Sequence, residues 1–372
     1  MTKIFITIPW FLPAFRAGGP IQSIANLVRE FNADVRYFIF CSDTDMNGAA
    51  LDNVKTGEWV QYNTQTQVWY ADHEKISDSL VKQVETIKPD VLYIIGIYSW
   101  HFNIVPLLYC KAPKKILSTR GMLHPGALSQ KKWKKKIYLG IFKLMEYHHK
   151  VYFHATGEEE KKYICNFFGK AAKVFVAGAI PNKIQPIPIA EKERGNLNLV
   201  SIGLISPMEN ILLVLQALQK ATANIEYDIY GPVQDYDYHE LCKQQIKSLP
   251  GNVRVKYHKE PASQELQKIL CKAHIFIVQY KNQLFGHTIY EALSAGRPVI
   301  TSNQISWKRL EESKAGFNVP TNDTTGLINA INFFAAMSKE ELGTWCEGAQ
   351  HYSEDAVDIL QTKKAYAAMF DL

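Results

Sequence analysis

Short apolar runs alternate with amphipathic stretches of helical spacing along the whole 372-residue chain. That alternation restricts the fold strongly, because parallel strands need long crossover connections, usually helices. Ile4–Ile8 reads as a buried strand. Ile21–Phe31 carries apolar residues at 21, 24, 25, 27, 28 and 31, the spacing of one helix face. Further strands are predicted at Arg36–Cys41, as a pair within Glu58–Tyr70, and at Val91–Ile95, Lys115–Ser118, Val151–Ala155 and Lys173–Val176. Helices are predicted over Glu74–Ile87, Lys131–Met145 and Glu158–Phe168.

Residues 180–196, IPNKIQPIPIAEKERGN, break the pattern with three prolines and several charges, and read as a linker. A second series follows. Its strands are predicted at Leu197–Ile202, Glu226–Tyr230, Val253–Tyr257, Ile275–Gln279 and Pro298–Thr301. Its helices are predicted at Ile211–Ala221, Tyr238–Ser248, Ser263–Cys271, Thr288–Ser294, Asp323–Phe334 and Lys339–Ala349, with a terminal helix at Ser353–Phe370. The expectation is an α/β protein of two doubly wound, Rossmann-like parallel-sheet domains facing a cleft. Residues 1–182 form the first, 183–196 the linker, 197–350 the second, and 351–372 a final helix. Open parallel sheets bind ligands beyond the carboxyl ends of their strands.

Composition narrows the function classes. Hydrophobic residues make up 47% and charged residues 21%, enough for a solid core. A net charge of +6 is modest for this length, and suits anionic small molecules or an anionic membrane face rather than nucleic acid. The six cysteines form no CxxC pair and no zinc-finger spacing, as expected of reduced thiols in the cytoplasm. No apolar run reaches transmembrane length. GxSxG, HExxH, GxGxxG and P-loop patterns are absent.

The most informative stretch is Tyr280–Thr301, YKNQLFGHTIYEALSAGRPVIT. A strand ends near Gln279, and a helix starts near Thr288 after Phe285–Gly286–His287. Helix N-termini present free N–H groups and positive partial charge, so Gly286, His287 and Thr288 can seat a phosphate. Glu291 can accept hydrogen bonds from two ribose hydroxyls. The alternative is an ordinary turn, with Glu291 as a helix-start charge.

This stretch resembles the donor-binding segment of glycosyltransferase family 4, of the GT-B fold. Phe15–Leu27 (FRAGGPIQSIANL), Ser118–Leu128 (STRGMLHPGAL), Phe153–Glu160 (FHATGEEE), Val176–Asn182 (VAGAIPN) and Ile202–Leu218 (IGLISPMENILLVLQAL) resemble the family's other landmarks, in the family's order. The resemblance implies a hexosyl-type glycosyltransferase of polysaccharide biosynthesis. It implies transfer of a sugar from a nucleotide-diphosphate donor to a saccharide or lipid-linked saccharide acceptor. Retention of configuration is implied, with no bound metal and no cofactor beyond the nucleotide-sugar co-substrate. It also implies that the last helix packs back on the first domain.

Three positions depart from the family's pattern. Gln283 stands where the family has the first Glu of E-x7-E, and it keeps an acceptor but loses the charge. Leu204 and Glu209 stand where an Arg and a Lys usually contact the diphosphate, and a carboxylate there repels phosphate. Preorganised positive charge on a leaving diphosphate is a major catalytic term, with about 3–4 kcal/mol lost per missing contact. Candidate substitutes are Arg16, Arg120 and Lys281, each otherwise a solvated surface charge. The other reading is a catalytically impaired GT-B protein acting as a binding or partner subunit.

Within the first domain, Gly18 and Gly19 allow close approach to the donor phosphates, or make a tight strand–helix connection. Arg120 and His124 are placed facing acceptor or sugar, with Gln283 reading sugar hydroxyls. Lys131–Lys136, KKWKKK, opens an amphipathic helix suited to peripheral contact with the anionic inner face of the plasma membrane. The alternative is a solvated helix start whose Trp133 packs inward with Ile137. Asp43–Thr44–Asp45 and Asp235–Tyr236–Asp237 are both DxD, a pattern that holds a divalent metal in GT-A enzymes. The two-sheet organisation argues against that use here.

Overall fold

The computed structural model describes residues 1–31, 35–124, 128, 132–261, 265–281 and 285–372. Two compact units emerge: residues 1–180 with 359–372, and residues 181–358.

In the first unit the chain runs β1 (Thr2–Thr7), α1 (Gly19–Glu30), β2 (Val35–Ser42), β3 (Trp59–Asn63), β4 (Thr66–Ala71), α2 (Ile76–Ile87), β5 (Val91–Ile95), α3 (Val105–Tyr109), β6 (Lys114–Ser118), α4 (Lys132–Leu144), β7 (Tyr152–Ala155), α5 (Glu158–Phe168) and β8 (Val174–Val176). The sheet order is β3-β4-β2-β1-β5-β6-β7-β8, with only β3 antiparallel to its neighbour. Ile4, Tyr93 and Ile116 pack into one apolar layer and Phe5, Leu92 and Leu117 into the other, as strands covered on both faces require.

The second unit contains β9 (Asn196–Ile202), α6 (Ile211–Leu218), β10 (Asn224–Tyr230), α7 (Tyr236–Lys247), β11 (Val253–His258), α8 (Leu266–Lys272), β12 (Ile275–Val278), α9 (His287–Ser294), β13 (Val299–Ser302), β14 (Gly316–Val319), α10 (Thr324–Ala335) and α11 (Lys339–Ala356). Its six strands are all parallel, in the order β11-β10-β9-β12-β13-β14. Counted from β9 this is 3-2-1-4-5-6, the order of dinucleotide-binding sheets. The chain winds outward from β9 one way and then restarts at β12, so the reversal lies between β9 and β12. In the first unit the same reversal lies between β1 and β5.

Residues 183–196, read as a linker, pack within the second unit. Ile184 N–H donates to Ser294 Oγ at 3.1 Å, and Ile187 N–H to Ala295 O at 3.3 Å. The fully buried Arg297 donates to the carbonyls of Ile187 (3.3 Å), Pro188 (2.6 Å) and Leu270 (2.9 Å). A proline-interrupted segment cannot join a ladder, so its carbonyls need other donors, and a guanidinium supplies several at once.

The helix predicted from Ser353 starts later. α11 continues to Ala356, because Ser353 is buried and its hydroxyl donates back to Gln350 O at 2.8 Å instead of capping a new helix. Val357 is extended, and α12 (Ile359–Phe370) then belongs to the first unit. There Tyr366, Met369 and Phe370 are buried in the same layer as Ile4 and Tyr93.

Candidate functional site

The C-terminal edge of the second sheet is built around the β9/β12 reversal. Gly203 and Leu204 follow β9, and the turn through Glu209 leads into α6. Backbone bonds tie this turn to the end of β12: Lys281 N–H donates to Met208 O (3.0 Å) and Gln279 N–H to Glu209 O (3.4 Å). A small hollow there is lined by Ser201, Gly203, Leu204, Glu209, Ile229 and Val278, among others.

α9 begins at this edge. Gly286 is its N-cap at φ 67°, a left-handed conformation that favours glycine, and offers no side-chain cap. The N–H groups of Ile289 (3.0 Å) and Tyr290 (3.3 Å) donate to Gly286 O, so those of His287 and Thr288 precede the first intrahelical bond. Phe285 packs edge-on to His287 and tilted against Trp307, whose indole N–H donates to Phe285 O. Glu291 is the fifth helix residue, beyond the first turn, and is nearly buried. Asn182 Nδ2 donates to its Oε1 at 3.3 Å. Gly286, His287, Thr288 and Glu291 therefore share one helix start at the reversal point. Gln283 lies outside the described residues.

Glu209 behaves differently from the sequence expectation. Its carboxyl tucks against Gly203, with Oε2 2.9 Å from where a Cβ would stand. Burial pushes its pKa up to about 8, only partly opposed by hydrogen bonds from the Tyr280 hydroxyl and the Leu204 N–H. At neutral pH the group is mainly protonated, so the anticipated repulsion of phosphate is largely absent. Tyr280 OH also lies 3.4 Å from Thr288 Oγ1, which connects Glu209 through Tyr280 to the head of α9.

One residue escaped the sequence reading. Gln279, fully buried at the end of β12, has neither side-chain oxygen nor nitrogen partnered among the described residues. A lone glutamine at a strand end carries no sequence signal for this.

The remaining predicted residues lie in the first unit, apart from the second DxD, Asp235–Asp237. Gly18 (φ 63°) is the N-cap of α1, and Gly19 is its first residue. The loop before them is pinned by the buried Asp45, which accepts from the N–H groups of Phe15 (3.3 Å) and Arg16 (3.3 Å) and lies 3.9 Å from Arg16 Nε. Asp45 of the first DxD is thus engaged with the backbone. Asp235 of the second caps α7, accepting from Tyr238 N–H at 2.9 Å. Ligand-type atoms of Asp43, Asp72 and His73 lie within 4.8 Å of one another, close enough to share a cation.

Arg120 turns inward. Its Nη2 donates to Tyr93 OH at 3.2 Å, and Tyr366 of α12 is a second phenol beside it. The turn that carries it, with Arg120 at φ 46°, is held by Glu160. That carboxylate accepts from Thr119 Oγ1 (2.5 Å), Gly121 N–H (2.6 Å) and both the N–H and Oγ1 of Thr156 (2.7 Å each). Burial alone would raise its pKa, but these donors outweigh burial and lower it. The fully buried His154 is pushed down to about 3 by burial and by the Arg120 charge. Its Nε2 donates to Ala177 O (2.9 Å), so Nδ1 accepts from Tyr93 OH (2.7 Å). His124 is exposed, its ring edge-on to Tyr163 at 5.3 Å.

Residues 182–344 match the family model described as "Glycosyl transferases group 1". No curated protein matches the chain. Among solved structures, HepE from Anabaena in complex with UDP and glucose superposes with a TM-score of 0.71 at 15% identity, with 100% of each chain covered. Sucrose-phosphate synthase from Thermosynechococcus elongatus gives 0.72 at 16%, again over 100% of each chain. TarM from S. aureus, solved with fondaparinux, α-GlcNAc-glycerol and UDP, gives 0.70 at 13% and the same coverage. The fold is GT-B.

Proposed function

We propose that this protein is a glycosyltransferase that moves a sugar from a nucleotide-diphosphate donor to a saccharide or lipid-linked saccharide acceptor, with retention and without a metal. The observation that carries the proposal is the head of α9 at the β9/β12 reversal, inside the segment that matches the glycosyltransferase model. In this reading the second unit binds the nucleotide. Glu291 accepts the ribose hydroxyls, and the His287 and Thr288 N–H groups face the diphosphate with the helix dipole behind them. The bond from the anomeric carbon to the diphosphate oxygen breaks. A bond to the acceptor hydroxyl oxygen forms, and that hydroxyl's proton leaves on the departing diphosphate.

Leu204 supplies no cation to the leaving group, and Glu209 supplies none either. Lys281, exposed and tied by its backbone to Met208, is the replacement this reading takes on this edge. Gly18 and Gly19 approach donor phosphates, and His124 faces the acceptor. Arg120 acts as a positioning residue through Tyr93. The substitutions at 204 and 209 also favour a second reading, a catalytically impaired GT-B protein that acts as a binding or partner subunit and takes no nucleotide.

Calorimetric titration with UDP, GDP and ADP tests the first reading. At least one should bind, and Glu291→Ala should weaken it by about tenfold or more, the scale of a charge-assisted hydrogen-bond pair. Lys281→Ala should weaken it by a smaller factor. Absence of binding by all three at millimolar concentration selects the non-catalytic reading.

A further inference from the structure

We infer that α4 is a docking face for an anionic lipid bilayer. The sequence reading placed Trp133, Ile137, Tyr138, Ile141, Phe142 and Met145 on one amphipathic helix. In the structure they divide between two opposite faces. Leu139 and Phe142 are buried, with Tyr138 packed against the same layer. On the other side Trp133 is 79% exposed, Ile137 60%, Ile141 50% and Leu144 83%, and Met145 just beyond the helix is 51% exposed. Positions 133, 137, 141 and 144 recur every three or four residues and form a continuous stripe along the outer surface. The alternative in which Trp133 packs inward with Ile137 is therefore not realised.

Lysine dominates the charge along the stripe, with the exposed Glu146 just past its end. Residues 129–145 contain six lysines and no acidic residue. Lys136 and Lys143 are exposed, Lys135 lies over the Tyr98 ring at 5.1 Å, and Lys132 and Lys134 share the helix. Lys131 lies outside the described residues. No helix among those described is long and apolar enough to cross a membrane. An exposed apolar stripe flanked mainly by cations matches a surface that offers hydrocarbon below and phosphate above, with Trp at the boundary. A second copy of the same face would bring lysines against lysines, so charge complementarity favours lipid over self-association. Docking here is independent of the transfer chemistry. It would hold the first unit, with the Arg120–His124 turn that precedes α4, at a lipid surface.

The test is flotation of the full chain with vesicles of phosphatidylcholine alone or mixed with phosphatidylglycerol. Co-flotation is expected only with the anionic vesicles, and should fall as salt is raised. The double variant Ile137→Asp with Ile141→Asp should reduce it by about tenfold or more while thermal unfolding stays unchanged, since both side chains face solvent. Replacing Lys136 and Lys143 by Gln should reduce it by a smaller factor and flatten the salt dependence. Equal flotation with neutral vesicles would overturn the inference, as would an unaffected double variant. So would a concentration-dependent dimer without lipid that the double variant abolishes, because the stripe would then belong to a second copy.

Discussion

Gly231→Ala is expected to lower the melting temperature of the second unit by about 10 °C or more, the shift that a loss of ~4 kcal/mol gives a domain of this size. Gly231 follows β10 at φ 144°, a conformation that side chains rarely adopt. A Cβ there would overlap the backbone carbonyl of Gly203 and sit 2.9 Å from its carbon. Backbone cannot rotate aside as a side chain does, so the β9 turn has to move. That turn carries Leu204 and leads to Glu209, so nucleotide affinity should fall along with stability. Gly251→Ala is the control: nothing lies within 4 Å of its Cβ position, and the change should be nearly neutral. Scanning calorimetry of the two variants reads the difference directly. A Gly231→Ala protein that melts like the parent would mean that β9 and β10 are not held at this separation.

The second large effect is a pH dependence set by Glu209. Its native pKa of about 8 lies above the ordinary carboxyl value of 4.5. Below pH 4.5 the group is protonated whether the chain is folded or not, and its neutral form carries no penalty. Between 4.5 and 8 the unfolded chain releases the proton while the folded chain keeps it. Stability therefore falls as pH rises through this window and levels off above 8. A displacement of this kind corresponds to a few kcal/mol spread across the window. Urea titrations at pH 5, 7 and 9 should show the decline, and Glu209→Gln should remove this component while matching the parent near pH 5. Nucleotide affinity should fall above pH 8 in the parent only, as the carboxylate ionises beside the diphosphate. A parent whose stability is level from pH 5 to 9 would contradict the buried, protonated state.

Much of the architecture was legible because it rests on local periodicity. The strand–helix order in both units, the strand pair within Glu58–Tyr70 and the helix after Gly286 follow from apolar spacing and turn residues. β14, Gly316–Val319, was not, since four residues containing Gly and Asn show no alternation. The end of α11 was misplaced because nothing between 350 and 357 is Gly or Pro, so no stop signal exists to read.

At the site, residue types were informative and states were not. The α9 segment was visible as a motif. The neutral form of Glu209 depends on the desolvation it meets where it packs against Gly203, which outweighs the bond donated by Tyr280, and neither contact is set by its own turn alone. The inward turn of Arg120 depends on Tyr93 and Tyr366, which are remote in sequence. No window around Ser118–Leu128 contains that information.

The return of α12 to the first unit has a consequence for biogenesis. Residues 181–358 leave the ribosome before Tyr366, Met369 and Phe370, whose side chains complete the apolar layer beneath β1 and β5. The second unit has all its strands available while the first still lacks a wall of its interior. A released chain truncated after Asp358 should accordingly protect the later-made unit from protease and leave the earlier-made one open to attack, the reverse of the usual N-to-C sequence of maturation.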